Sequence, residues 1–584
     1  MRFPSIMTLA QRVREVLFRF PWTMAAGVLA AVATIAATTD SGNEQWGRIA
    51  MVVALGLPLT IALTLLGEER RWSPARRAAL NAAGVLLLVL FYLTWPGPDR
   101  KHEVIRYLQL SAGLHLLVAF LPFLGQRETG AFWQYNRRLF LAILRSALFS
   151  LVLFVGLMIA LGALDKLFGV GVPDDLYARL GIVVLFVINT GIFLADVPRG
   201  IRELASDTSY PKVLKVFAQY ILTPLVFIYL IMLLAYLVKI VVGSEWPSGW
   251  IGWLIASVAA SGLLGFLLVH PLRDDTDEPW IRTYGRWLFI GLIPSAAMLL
   301  VAFWKRILPY GLTEPRLLGV LLGIWLLAIA VYYTARQDGG IRRIPVSLAS
   351  LLLLTLYGPL SLTALSVGSQ SSRLGRALSP PAGVVRDARE ASASLRFLLD
   401  HGDRAAIARA VPGELPPLDW DSLPGPWDRS EAAAVRLLAT QGMTYEGEDR
   451  HRSRNGDRVV LDANSATAVP AAGYEWLLDA SSTDESPAVA GEDTVIVKFD
   501  KASSVAHVLV GTDSLVFDVG RLATDLAGKS VITRSNIPAT DLRLEAVTAK
   551  RRGALLLRSL NAVRTGDSLR VEYWNGRLLL GQPK

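Results

Sequence analysis

Between residues 22 and 366 the chain alternates apolar blocks of about 20 residues with short polar breaks. A helix of about 20 apolar residues spans the hydrocarbon core of a bilayer, and lipid offers no partner for a free backbone amide. Each block therefore predicts a membrane-spanning helix. The pattern predicts eleven spans, at 22–38, 48–67, 78–95, 106–124, 139–164, 177–195, 214–242, 249–270, 286–304, 317–335 and 345–366. The first is Ala-rich and ends in ATIAA, features it shares with a signal peptide. The basic residues before it and the lack of a clean stop favour an uncleaved anchor.

The pattern changes after residue 366. From 378 to 441 it is helical, in VVRDAREASASLRFLLD, RAAIARAV and SEAAAVRLLATQG, with a Pro-rich break, GELPPLDWDSLPGPWD, at 413–428. From 442 onward, β-branched alternation in TVIVKFD, SVAHVLVG and SLVFDVG predicts strands. Asn-Gly in RNGDRVVLDA and in VEYWNGRLLLG predicts hairpin turns. The expected organisation is a basic cytoplasmic N-terminus (1–21), a transmembrane helical domain (22–366), a helical and Pro-rich connector (367–441) and a β-rich periplasmic domain (442–584). The fold class is a mainly α polytopic membrane protein with a C-terminal α+β, β-rich soluble domain.

Charge orients this arrangement. Residues 1–366 hold 32 Lys+Arg and 21 Asp+Glu; the remainder holds 27 and 28. The net charge of +10 thus belongs to the membrane part. Nucleic acid would require a basic soluble face, so it is set aside as a partner. Alternate loops, beginning with the N-terminus, carry 21 of the membrane part's basic residues and the opposite loops carry 10. The positive-inside rule then puts the N-terminus in the cytoplasm. An odd number of spans puts the C-terminal domain in the periplasm of a bacterial inner membrane. The chain has no cysteine, which excludes disulfides, thiolate metal sites and cysteine nucleophiles.

The chemistry-bearing residues are few. The cytoplasmic loop RDDTDEPW holds Asp274, Asp275, Asp277 and Glu278, which suit a Mg²⁺–diphosphate site or simply a solvated acidic loop. Arg145 lies inside the fifth span, either as a functional charge or as a side chain snorkelling to the interface, with Asp196 and Asn189 as candidate partners. His115 sits mid-span, where a helix–helix hydrogen bond is favoured over a proton relay. The six histidines give no zinc spacing, and no catalytic constellation, cofactor motif or metal set is present.

The stretch YGLTEPR, between the ninth and tenth spans, falls on the periplasmic side. Thr313 is placed to cap a helix that begins near Pro315, with Glu314 at the positive end of its dipole. Lys305, Arg306, Arg316, Lys166 and Arg373 gather on the same, less basic, face. So do the polar pieces ALDKLFG, GSEWPSG and VGSQSSRL. Tyr310, Thr313, Glu314, Arg316, Gln370, Arg373 and Lys166 are therefore candidates for an anionic-ligand site as well as a turn.

Several of these pieces also carry a family resemblance. FWQYNRRLFLAILRSALFS, ALDKLFGV, YGLTEPRLLGVLLGIWLL and GPLSLTALSVGSQSSRL resemble the bacterial membrane family catalogued as domain of unknown function 4153, over roughly residues 80–375. The resemblance implies a polytopic membrane protein with a variable tail and brings no established activity or site residue. The expectation is a non-enzymatic envelope component that binds membrane lipid headgroups, an envelope glycan or a partner protein at its periplasmic face. A secondary transporter using Arg145, His115 and Asp196 is the alternative, and a membrane transferase using the acidic loop stands behind it.

Overall fold

The computed structural model describes residues 6–39, 44–125, 129–200, 204, 209–243, 251–273, 279–336, 339–380, 386–413, 427–446, 458–463, 471–482, 487–491, 493–527, 533–565 and 568–583. The acidic loop at 274–278, Glu245, Trp246, the first Asn-Gly (455–456) and nearly all of the Pro-rich break lie outside them. The chain divides into two units, Met1–Glu446 and Gly447–Lys584.

Among the described residues, the regular structure of the first unit is all helix. In order come α1 (Ile6–Arg19), α2 (Pro21–Thr39), α3 (Glu44–Glu69), α4 (Pro74–Thr94), α5 (Lys101–Phe120) and α6 (Thr129–Phe168). Then come α7 (Asp174–Val183), α8 (Asn189–Ala195), α9 (Lys212–Val216), α10 (Thr223–Gly243), α11 (Ile251–Val269), α12 (Pro279–Tyr310) and α13 (Glu314–Ala335). They are followed by α14 (Arg343–Leu354), α15 (Leu362–Leu378), α16 (Ala388–His401), α17 (Arg404–Ala410) and α18 (Trp427–Thr440). A π-helical turn, Val184–Ile188, joins α7 to α8, and another, Phe217–Leu222, joins α9 to α10. Ten helical segments among the described residues are long and apolar enough to cross a membrane, and they match the first ten expected spans. The chain is a polytopic membrane protein.

The eleventh expected span, 345–366, is not one helix. α14 has 12 residues, about 18 Å of rise, well short of a 30 Å core. It runs antiparallel to α5: Arg342 donates to the carbonyl of Phe123 at one end (2.8 Å), and Gln109 donates to the carbonyl of Leu352 at the other (2.8 Å). The chain then turns through Gly358 and Pro359. Ser361 starts α15 by accepting the Ala364 amide (3.2 Å). Mean hydropathy over 345–366 is blind to this Gly-Pro-Ser punctuation.

Helices α15 to α18 form a small packed layer. Leu374, Leu378, Leu395, Leu398, Leu399, Ile407 and Leu437 are its buried core. Aspartates start two of these helices. Asp387 accepts the Glu390 amide (2.9 Å) and Asp403 accepts the Ala406 amide (2.8 Å). All three helices expected between 378 and 441 are present.

The second unit has two sheets. Its strands are β1 (Arg458–Ala463), β2 (Trp476–Ser481), β3 (Ala488–Ala490), β4 (Asp493–Asp500) and β5 (Val505–Val510). After β6 (Asp513–Asp518) and helix α19 (Val519–Ala527) come β7 (Thr533–Ile537), β8 (Arg543–Val547), β9 (Arg552–Thr565) and β10 (Ser568–Gly581). One sheet has the order β2-β10-β9-β1-β7, with β8 also on β9; the other is the meander β3-β4-β5-β6. The three strands expected from β-branched alternation are β4, β5 and β6. Asn575-Gly576, expected as a hairpin turn, is instead inside β10. The register slips there, and a Cβ on Gly576 would stand 2.2 Å from the carbonyl oxygen of Leu556. The glycine serves a bulge with close backbone approach, not a turn.

Candidate functional site

The stretch Pro309 to Arg316 joins α12 to α13, and its geometry follows from an unsolved problem in the sequence. A helix leaves its last carbonyls without partners. Here Pro309 and Tyr310 close α12, and Pro315 begins α13 almost at once. Gly311 reverses the chain with φ +69°. Side chains from α13 and α15 then take up the carbonyls. Arg373 donates to Pro309 (2.7 Å), and Gln370 donates to Tyr310 (3.1 Å) and Leu312 (2.9 Å). Arg316 donates to Tyr310 (3.0 Å) and Gly311 (2.8 Å), its guanidinium lying over the Tyr310 ring. The Leu312 amide donates to the hydroxyl of Ser369 (3.1 Å). Two arginines at the negative end of the α12 dipole add favourable electrostatics.

The structure thus brings together Tyr310, Gly311, Arg316, Ser369, Gln370 and Arg373. Thr313 holds the N-cap position of α13 in extended geometry, but its hydroxyl makes no capping bond, contrary to expectation. Lys166 lies in the last turn of α6, and among the described residues no hydrogen bond or ion pair joins it to this group.

Glu314 does not simply complement a dipole. It is buried, and its Oε1 lies 2.8 Å from Nε2 of His401, the last residue of α16. Nδ1 of His401 faces the carbonyl of Phe397 at 2.7 Å. The His401 ring is stacked between Phe397 and His102, each with its centroid at 4.1 Å. His102, in the first turn of α5, meets Glu103 (3.3 Å), and Glu103 is gripped by Arg106 through both oxygens (2.8 and 2.9 Å). Glu314, His102 and Glu103 are buried, and the His401 side chain is 8% exposed. The His401 ring is held from both of its nitrogens, by Glu314 and by the Phe397 carbonyl.

This cluster ties three distant segments together. Arg373 reinforces it by pairing with Glu390 at the start of α16 (2.9 Å), and Ser371 donates to the carbonyl of Ala406 at the end of α17's first turn (2.8 Å). Next to it, an apolar groove of about 420 Å³ runs between α12 and α13, bounded by Trp304, Ile307, Leu312, Leu317 and Val320. Trp304 and Tyr310 are exposed beside it.

The intramembrane candidates lie elsewhere. Arg145 forms an ion pair with Asp196 (3.2 Å), the partner expected, while Asn189 accepts from Ser150 (3.3 Å). His115 is on an outer face of α5, and its Nδ1 faces the carbonyl of Ser111 on the same helix (2.8 Å); among the described residues no hydrogen bond joins it to another helix. Among the described residues, no group of three or more His, Asp or Glu could hold a metal ion.

A family model described as domain of unknown function (DUF4153) matches residues 24–377. The match extends further toward the N-terminus than the quoted motifs and ends within α15. An uncharacterized protein of Pasteurella multocida (strain Pm70) is 22% identical over 276 residues, 47% of this chain and 45% of that protein. The chain thus spans about half the length of this relative. No solved structure matches the chain.

Proposed function

We propose, for a chain that belongs to the DUF4153 family, a role as a non-enzymatic component of the bacterial inner membrane. It binds a lipid headgroup at the face where α12 turns into α13. The observation that carries this reading is the apolar groove between those helices, which ends at Leu312 under the polar turn. Its shape and lining suit an acyl chain, and Trp304 and Tyr310 at its edge suit the headgroup level. Lys305 and Arg306 follow Trp304, so an anionic headgroup would meet positive charge there. On the orientation given by the basic-residue bias, this face is periplasmic.

The test is phospholipid retention by the purified full chain, read by native mass spectrometry. Leu317→Trp fills the groove and should lower retention about tenfold, equivalent to roughly two methylenes no longer buried. Unchanged retention would remove lipid from this face and leave an envelope glycan or a partner protein as its ligand. A secondary transporter is the second reading, favoured by the two π-helical turns and the Arg145–Asp196 pair. Substrate flux in proteoliposomes that is lost in Arg145→Gln would establish it.

A further inference from the structure

At the opposite end of the bundle, where α1, α3 and α8 finish, two cavities of about 470 and 490 Å³ adjoin. Arg19 and Arg199 line both. Arg71 and Arg77 complete the lining charge of the first, and Arg12 and Arg138 that of the second. Against these six arginines stand three lining carboxylates, each already paired. Glu68 is held by Arg19 (2.8 Å), Glu15 by Arg199 (2.6 Å) and Asp196 by Arg145 (3.2 Å). Arg19 is itself fixed by donating to the carbonyls of Val197 (2.8 Å) and Pro198 (2.6 Å), so the wall between the cavities is rigid. Among the described lining residues the arginines outnumber the carboxylates by three, and the buried Nε of Arg77 has no hydrogen-bond partner among them.

We propose that these cavities bind the phosphate of an anionic phospholipid. Planar guanidinium groups match phosphate oxygens in pairs, and basic pockets between membrane helices at this level take anionic headgroups. Apolar surface for the acyl chains is at hand. Val13, Leu17 and Phe18 of α1 are exposed, as are Ile143 and Leu144 of α6. α1 is amphipathic, turning Val16 into the core, with Phe20 just beyond its end also buried, while Arg12 and Arg14 stay outside. That is the habit of a helix lying in the interface. The site is independent of the groove at the other face.

The experiment compares retention of phosphatidylglycerol and phosphatidylethanolamine by the full chain, again by native mass spectrometry. Arg12→Gln with Arg71→Gln removes one exposed arginine from each cavity. Phosphatidylglycerol retention should fall about fivefold for each arginine lost, with phosphatidylethanolamine unchanged. Arg12→Lys with Arg71→Lys keeps the charge and should retain most of the binding, and thermal unfolding of both variants checks the fold. Equal phosphatidylglycerol retention by the wild type and the Gln variant would overturn the proposal. Retention of inorganic phosphate by the wild type with no phosphatidylglycerol held would overturn the lipid assignment in favour of a free phosphate.

Discussion

The Glu314–His401 pair makes an asymmetric prediction. Both side chains are more than nine-tenths buried, and the pair joins the start of α13 to the end of α16. Glu314→Ala leaves Nε2 of His401 without its partner, while Nδ1 can keep the Phe397 carbonyl. The cost is then that of one buried unsatisfied group, about 1–3 kcal/mol. His401→Phe keeps the stacking between His102 and Phe397 but strands a carboxylate. Removing one partner of a buried pair this way costs about 3–5 kcal/mol. Glu314→Gln should cost less than about 1 kcal/mol, because its amide N–H can donate to a neutral Nε2. The double variant Glu314→Leu with His401→Phe should be less destabilised than the sum of Glu314→Leu and His401→Phe, since neither polar group is left without its partner.

The assay is hydrogen exchange of the α16 amides in the solubilised full chain, which reports local opening. Each 1.36 kcal/mol is a factor of ten. Exchange in α16 should therefore quicken by roughly one to two decades in Glu314→Ala and by two to four in His401→Phe. α16 is also held by Leu395, Leu398 and Leu399 in the helical layer and by Arg373 on Glu390, so it should loosen without losing its helix. If His401→Phe leaves α16 protection at the wild-type level, the pair does not hold the junction and the reasoning fails.

Three further outcomes are expected. Gly311→Ala should destabilise the α12–α13 turn by at least about 1–2 kcal/mol, because φ is +69° and a Cβ would meet Cδ of Arg373 at 2.4 Å, whereas Thr313→Ala should be neutral for want of a capping bond; thermal unfolding separates them. Gly576→Ala should cost about 1–3 kcal/mol in the β-rich unit, since the clash is with backbone and cannot be relieved by a rotamer, and circular dichroism of its unfolding would read the loss. Although 345–366 is not one span, Arg373 of α15 reaches Pro309 at the α12–α13 turn, so alkaline phosphatase fused after residue 584 should be active and its insertion in the 336–343 loop inactive; the reverse would refute the orientation drawn from the basic-residue bias.

What the sequence made legible and what it hid divide along a physical line. A run of 20 apolar residues carries its own reason to be a helix, so ten spans could be read without knowing any neighbour. Alternation in TVIVKFD and SVAHVLVG was similarly local, and so was the placing of YGLTEPR between two spans. The errors came where a residue's meaning depends on a remote atom. Asn575-Gly576 looks like a turn until the Leu556 carbonyl is brought against it. Thr313 looks like a cap until Gln370, Arg316 and Arg373 are seen to organise the same turn from α15 and α13. His102 and His401 were passed over because 299 positions separate them, and neither has metal-ligand spacing. A faint signal existed for both. His102 and Glu103 open an apolar span with two ionisable groups in succession. His401 ends an amphipathic helix just before Gly402, where Phe397 and Leu398 predict a buried face. A histidine at the edge of such a face needs acceptors, and Glu314, in the first turn of a helix on the same side, was one carboxylate on offer. The pairing was therefore a question of hydrogen-bond supply, which spacing rules do not ask.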